Sequence, residues 1–286
     1  MPFLDLPLAR VHYLDLPPAA APVGTLVLLH GFTCDHRLMS GAFEPVLERH
    51  PGWRRVYLDL PGHGRSTATA ALRGTDDVFA VVQEAVRQLV PEGPLALAGE
   101  SYGGYLTQGL LTADSGRYAG ACLVAPAVLA AFAERKVPEH QVIARQLDEI
   151  EIDPESAHAL GVVQTPETFR RTAIEVQTGI DSADPAVIAR ISADYRGAWE
   201  GSVPLFDRPG LVVTGRQDAA VGYADQFALT AGWPRTTYAA LDRAGHNVQI
   251  DQAAVFDALV GDWLARVTES LDVATGSTGD SSRNRQ

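Results

Sequence analysis

The pattern Gly-x-Ser-x-Gly occurs once a short apolar run has ended, at Gly99-Glu100-Ser101-Tyr102-Gly103 after Leu95-Ala96-Leu97-Ala98. A serine at the tip of a sharp strand-to-helix turn is held in strained backbone angles, so the positions two residues to either side must carry no bulk. Gly99 and Gly103 meet that need. The strain lifts the hydroxyl clear of the sheet, where it can act as a nucleophile. Alone, that hydroxyl is poorly reactive at neutral pH. A histidine within reach can take its proton and return it to a leaving group, while a carboxylate fixes the histidine's tautomer and stabilises its cation. Asp218 closes the apolar run from Gly210 to Gly215, and His246 follows the run from Thr236 to Leu241. Read singly, Asp218 is a turn or helix-capping aspartate and His246 an ordinary loop histidine. Together with the serine turn, in the chain order Ser101, Asp218, His246, they form a set for acyl transfer. The loop His30-Gly31-Phe32 adds a backbone N–H for a developing oxyanion, with Gly31 permitting close approach.

These residues need a scaffold that brings distant strand ends together. Thr25 to Leu29, Trp53 to Leu60, Leu95 to Ala98, Ala119 to Ala125, Gly210 to Gly215 and Thr236 to Leu241 are short and mostly apolar, as expected of strands covered by helices on both faces. Helical spacing over Leu38–Arg49, Asp76–Val90, Tyr105–Leu111, Tyr223–Ala231 and Asp251–Val267 alternates with them. An opening hairpin is expected from Phe3–Leu8 and Arg10–Leu16. The alternation predicts an α/β fold with a doubly wound, mostly parallel sheet, whose sites lie at the carboxyl ends of its strands. From Ala127 to Asp207 the strand runs vanish and helices are expected over Glu139–Ile150, Pro166–Thr178 and Pro185–Trp199. The expected organisation is therefore a core over 1–126 and 208–267, a helical cap inserted at 127–207, and a polar, disordered tail at 268–286.

Composition narrows the partners. The formal charge of −12 and the isoelectric point near 5.0 disfavour nucleic acid and anionic membrane surfaces, which need clustered positive charge, and favour a small-molecule substrate. Cys34 sits in a loop and Cys122 in a strand, so no structural disulfide is expected. Neither a leader-like amino terminus nor a long uninterrupted apolar run is visible, which suggests a cytoplasmic protein without membrane insertion. No metal or cofactor is required by the chemistry above. His30 reads as a turn histidine bonding local backbone, and Cys34 and His36 as loop residues. Asp59 to Ser66 reads as a structural turn, since it has no Walker-type continuation for phosphate. Glu134, Arg135, His140, Glu149, Glu151 and His158 read mainly as solvated faces of the insertion.

Through His30-Gly31-Phe32, Asp59 to Ser66, Gly99 to Gly104, Gly215 to Asp218 and Ala244 to His246, residues 10 to 267 resemble the α/β-hydrolase fold family. The resemblance implies Ser101 as nucleophile, Asp218 as acid and His246 as base, with the backbone N–H groups of Phe32 and Tyr102 as oxyanion hole. Asp242 is a rival acid, one loop later than the family pattern places it. An aspartate nucleophile is disfavoured because serine holds that position. The resulting expectation is a serine hydrolase of small esters working through an acyl-enzyme. Alternatives with the same triad are C–C bond hydrolysis and an aminopeptidase, the latter needing cap carboxylates such as Glu149 or Glu151 in the pocket. A ligand-binding homologue without turnover is the alternative from another class.

Overall fold

Register at the carboxyl edge of one sheet decides where the candidate residues meet. The structure, a computed structural model, describes residues 2–147, 151–153, 155–202 and 204–276. The chain opens with β1 (Phe3–Asp5) and β2 (Ala9–Leu16), an antiparallel pair, followed by β3 (Gly24–Leu29), α1 (His36–Leu47), β4 (Trp53–Leu58) and the short β5 (Thr67–Ala68). Next come α2 (Thr75–Leu89), β6 (Leu95–Glu100), α3 (Ser101–Asp114) and β7 (Gly120–Val124). An excursion holds β8 (Ala144–Arg145), β9 (Val163–Gln164), α4 (Pro166–Thr172), α5 (Thr178–Ser182) and α6 (Pro185–Ala193). The sheet resumes with β10 (Gly210–Gly215) and β11 (Thr236–Leu241), and α7 (Val248–Asp251) and α8 (Ala253–Gly276) close the chain.

The strands lie in the order β1-β2-β4-β3-β6-β7-β10-β11, with β5 on β2. From β4 to β11 all neighbours are parallel. Their apolar runs split by alternation between two cores. Val27 and Leu29 of β3 face one cluster with Val78 and Val82 of α2 and Leu106 and Leu110 of α3. Leu26 and Leu28 face the other, with Phe43 of α1 and Phe256, Val260 and Trp263 of α8. Burying one such side chain stabilises the fold by about 1.5–3 kcal/mol, so a strand apolar on both faces is held from both sides. Leu29 pairs with Gly99, Glu100 with Val124 and Gly215 with Leu241. The loops that leave β3, β6, β10 and β11 therefore rise from one edge. Among the described residues no helix is long and apolar enough to cross a membrane.

Asp59, at the end of β4, ties several of these loops together. Its fully buried carboxylate accepts hydrogen bonds from His12 Nδ1 at 2.7 Å, His36 Nδ1 at 2.8 Å, His36 N at 2.9 Å and Arg65 N at 3.0 Å. Burial opposes its charge, but these donors, His36 foremost, hold its pKa well below the usual carboxylate range. His12, His36 and Asp59 offer ligand-type atoms within 4.8 Å of one another, yet both Nδ1 atoms already serve the carboxylate. His36, expected as a loop residue, is thus a buried partner at the start of α1. His30 bonds local backbone through Nδ1 to Gly31 O at 2.8 Å, and its Nε2 also accepts Leu60 N–H at 2.9 Å.

Several element boundaries differ from those expected. Residues 139–143 form no helix, because the following backbone pairs with β9: Ile143 and Ala144 donate to Val162 O, and Gln146 to Gln164 O. Asp148, Glu149 and Ile150 lie outside the described residues. The helix expected over Pro166–Thr178 continues to Ser182 through a π turn at Ala173–Gln177, whereas α6 stops at Ala193, and Asp194 O accepts Thr75 N–H. Gln226–Gly232 is a 3-10 turn where a helix was expected over Tyr223–Ala231. The tail expected to be disordered from residue 268 is helical to Gly276. Thr268 Oγ1 donates to Leu264 O at 2.9 Å and Leu271 rests against the α8 core, so the helix keeps an apolar contact beyond Val267.

Two stability predictions follow from these contacts. Asp59→Ala leaves two imidazole N–H and two main-chain N–H groups without their acceptor, and should cost about 3–5 kcal/mol in urea unfolding; a loss below about 1 kcal/mol would contradict the shared-carboxylate account. Ending the chain at Val267 removes the Leu271 contact and should lower the melting temperature by about 2–4 °C, the shift expected for about 1 kcal/mol in a chain near this size.

Candidate active site

Ser101 opens α3 with φ +49°, in the left-handed region where a side-chain-bearing residue is strained. Its surroundings permit this only because two neighbours lack a Cβ. A Cβ on Gly103 would run into the carbonyl of Leu29, and one on Gly99 into the carbonyl of Gly103. The turn therefore lies directly against the end of β3. Tyr102, second in α3, has an N–H with no carbonyl four residues back inside the helix. Its ring is buried against Phe32 at 5.4 Å between centroids.

Two further loops reach the serine. His246 Nε2 lies 3.0 Å from Ser101 Oγ, and His246 Nδ1 lies 3.0 Å from Asp218 Oδ2. With Asp218 ionised, Nδ1–H donates to the carboxylate and Nε2 accepts the serine hydroxyl. Asp218 is fully buried after β10, and its other oxygen accepts Ala220 N–H at 2.8 Å and Val221 N–H at 3.0 Å. Burial alone would lower the His246 pKa. The Asp218 carboxylate and its hydrogen bond, aided by Glu100, outweigh this and push it up to about 9. The loop bearing His246 is itself anchored, since Asp251 of α7 accepts Gly245 N–H at 2.8 Å and Val163 N–H of β9 at 3.1 Å. Burial raises Asp251 to about 6, against the pull of those donors.

Asp242, the rival acid, is exposed and accepts Gln217 Nε2 at 3.0 Å, while Asp218 takes the imidazole. Cys34 and Cys122 are both buried free thiols, and burial pushes their pKa values up, so neither is primed as a thiolate. In the excursion, Glu134 pairs with Arg196, and Arg135 donates to the carbonyls of Leu129, Ala130 and Ala220. His158 stacks on Phe169 at 3.9 Å. His140 and Glu151 are exposed, and Glu149 lies outside the described residues.

A cleft of about 100 Å³ opens over the serine. Gly31, Phe32, Ser101 and His246 form its floor, and Cys34, Ala157, Leu160, Val176 and Ile180 give it apolar walls. One carboxylate enters it, that of Glu100, from inside the serine turn itself. The Gly-x-Ser-x-Gly pattern assigns this position no chemistry. The available signal was its position as the last residue of β6, at the carboxyl edge where sites of a parallel sheet lie.

Comparison with known proteins agrees with this architecture. The sequence pattern of the alpha/beta hydrolase family matches residues 26–259. A pimeloyl-[acyl-carrier protein] methyl ester esterase of Yersinia pseudotuberculosis is 28% identical over 258 residues, covering 82% of this chain and 91% of that enzyme. A 2-succinyl-6-hydroxy-2,4-cyclohexadiene-1-carboxylate synthase of Salmonella heidelberg is 47% identical over 51 residues, and that match spans 18% of this chain and only 19% of the synthase. Among solved structures, an alpha/beta superfamily hydrolase from Oenococcus oeni superposes with a TM-score of 0.82 at 24% identity, covering 93% of this chain and 99% of that one. An esterase from a Rhodococcus species gives 0.71 at 23% identity, with 93% and 98% covered.

Proposed function

The chain belongs to the alpha/beta hydrolase family, and from that premise we propose that it is a serine hydrolase of small carboxylic esters. The observation that carries this reading is the continuous hydrogen-bond line from Asp218 through His246 to Ser101, both links at 3.0 Å, at the floor of a cleft. In the proposed cycle Ser101 Oγ attacks the ester carbonyl carbon as Nε2 takes its proton. The backbone N–H groups of Phe32 and Tyr102 receive the oxyanion. Nε2 then returns the proton to the departing alkoxide, leaving an acyl-serine that water hydrolyses by the reverse sequence. The relatives named as esterases support the same bond type. The aminopeptidase alternative has less support, since Glu151 is exposed and is not part of the cleft lining, and the C–C hydrolase and non-catalytic alternatives have no observation in their favour.

The excursion over residues 127–207 acts, in this reading, as the cap that sets substrate range. Ala157, Leu160, Val176 and Ile180 all come from it and wall the cleft above the serine. A cleft of about 100 Å³ walled by these four apolar side chains suits a short acyl group. Across p-nitrophenyl esters, kcat/KM should peak at acetate to butyrate and fall by octanoate. Ile180→Ala should move the optimum to longer chains; an unchanged chain-length profile would remove the cap from this role.

The three residues should fail as a unit. Ser101→Ala and His246→Ala should each lower kcat by several orders of magnitude, with the double variant scarcely worse than either, and an organophosphonate should label Ser101 alone. If Ser101→Ala kept more than about a tenth of the wild-type kcat, far from the loss expected of a missing nucleophile, the hydrolase reading would fall. The base must be neutral to take a proton, and its pKa is raised to about 9, so kcat/KM should climb with pH through a midpoint well above the ordinary value of about 6.5. Asp218→Asn should lower that midpoint along with the rate, and a wild-type midpoint at or below about 6.5 would contradict the assigned environment of His246.

A further inference from the structure

The Glu100 side chain is 3% exposed, and no donor among the described residues hydrogen-bonds to its carboxylate. A carboxylate so placed has little contact with bulk water and no protein donor, so the cleft that it lines is where it must find a hydrogen-bond partner. One oxygen lies where a Cβ on Gly31 would be, against the loop that holds Phe32. The other, Oε1, is 3.6 Å from His246 Nε2, the nitrogen that faces Ser101. That gap is too long for a direct hydrogen bond and short enough for one water molecule to bond both atoms at about 2.8 Å.

Building on the serine hydrolase reading, we propose that Glu100 holds the water that hydrolyses the acyl-enzyme. Once Ser101 is acylated its hydroxyl proton no longer occupies Nε2. A water in the gap donates one O–H to Nε2 and the other to Glu100 Oε1, which fixes its lone pairs toward the acyl carbon. As Nε2 takes the first proton, the water oxygen bonds to that carbon. The tetrahedral intermediate then collapses, the C–Oγ bond breaks, and Nε2 passes its proton to Ser101 Oγ. The second water proton stays with the carboxylic acid product, and Glu100 remains unchanged throughout. Acylation makes no such demand, because the serine hydroxyl bonds to Nε2 directly.

The charged and titratable groups that act on Glu100 or His246 leave this acceptor role to Glu100. Asp218 occupies Nδ1, Cys34 is held as a neutral thiol, the Tyr195 phenol is raised by burial, and the Arg135 guanidinium is bound to three backbone carbonyls. Burial pushes Glu100 up to about 7, opposed by the His246 cation, so it carries its charge above neutrality, where the imidazole also begins to serve as a base.

Methanol separates this role from a structural one. Attacking the acyl-enzyme, methanol gives its only O–H to Nε2 and has none left for Glu100. Glu100→Leu and Glu100→Gln are acylated with p-nitrophenyl butyrate in buffer containing methanol, and methyl butyrate and butyrate are quantified. Only molecules that acylate contribute to the ratio, so partial misfolding does not affect it. Losing a hydrogen bond to a charged acceptor should slow hydrolysis about 10- to 100-fold in Glu100→Leu and less in Glu100→Gln, whose amide oxygen still accepts. The ester-to-acid ratio should rise by the same factors. Ratios within about twofold of wild type in both variants would overturn the proposal while leaving acyl transfer at Ser101 intact; turnover surviving in Ser101→Ala would instead remove the reading on which it rests.

Discussion

The contact on which this site depends is between backbone and backbone. Ser101 is held at positive φ because the first turn of α3 is pressed against the end of β3, so closely that residue 103 has no room for a Cβ beside the carbonyl of Leu29. Strain of this kind persists only where its surroundings over-determine it. Here β6 is clamped between β3 and β7, and α3 is buried along most of its length, so the turn has nowhere to relax. The same approach brings the Phe32 loop and the start of α3 to one point. The strained Ser101 turn and its closeness to the Phe32 loop thus share a single mechanical cause.

Much of this was legible in the sequence because the relevant signals are local and steric. Gly99 and Gly103 announce the turn, the apolar runs announce strands covered on both sides, and their alternation with helices announces a parallel sheet. Once the sheet is parallel, loops after β3, β6, β10 and β11 must emerge at one edge, which is why Ser101, Asp218 and His246 could be named before any geometry was known. Asp218 prevailed over Asp242 for a related reason. It leaves β10, a strand paired on both sides, and is buried at once, whereas Asp242 leaves the edge strand β11 into solvent.

What escaped the sequence was set by long-range pairing. Residues 139–146 carry an acceptable helical pattern, yet the backbone of 143–146 is claimed by the β9 segment, about twenty residues on. His36 looked idle because its partner, Asp59, lies 23 residues away and inside a turn that seemed merely structural. Glu100 was overlooked because the motif assigns its position no chemistry; only its place in the cleft beside His246 gives it significance. In each case the residue type was visible and the environment was not.

Asp59 carries one further consequence, for how such a protein can be altered. Its carboxylate is shared by β2 through His12, by α1 through His36, and by the loop after β4 through Arg65. These segments are far apart along the chain and contribute separately to the fold, but they draw on one buried charge. They cannot be exchanged one at a time. A loop transplanted from a homologue would leave the others with a buried anion short of donors, or with donors lacking an anion, so recombination would succeed only where all of these segments travel together. The unit of variation here is a hydrogen-bonded set, not a contiguous stretch of sequence.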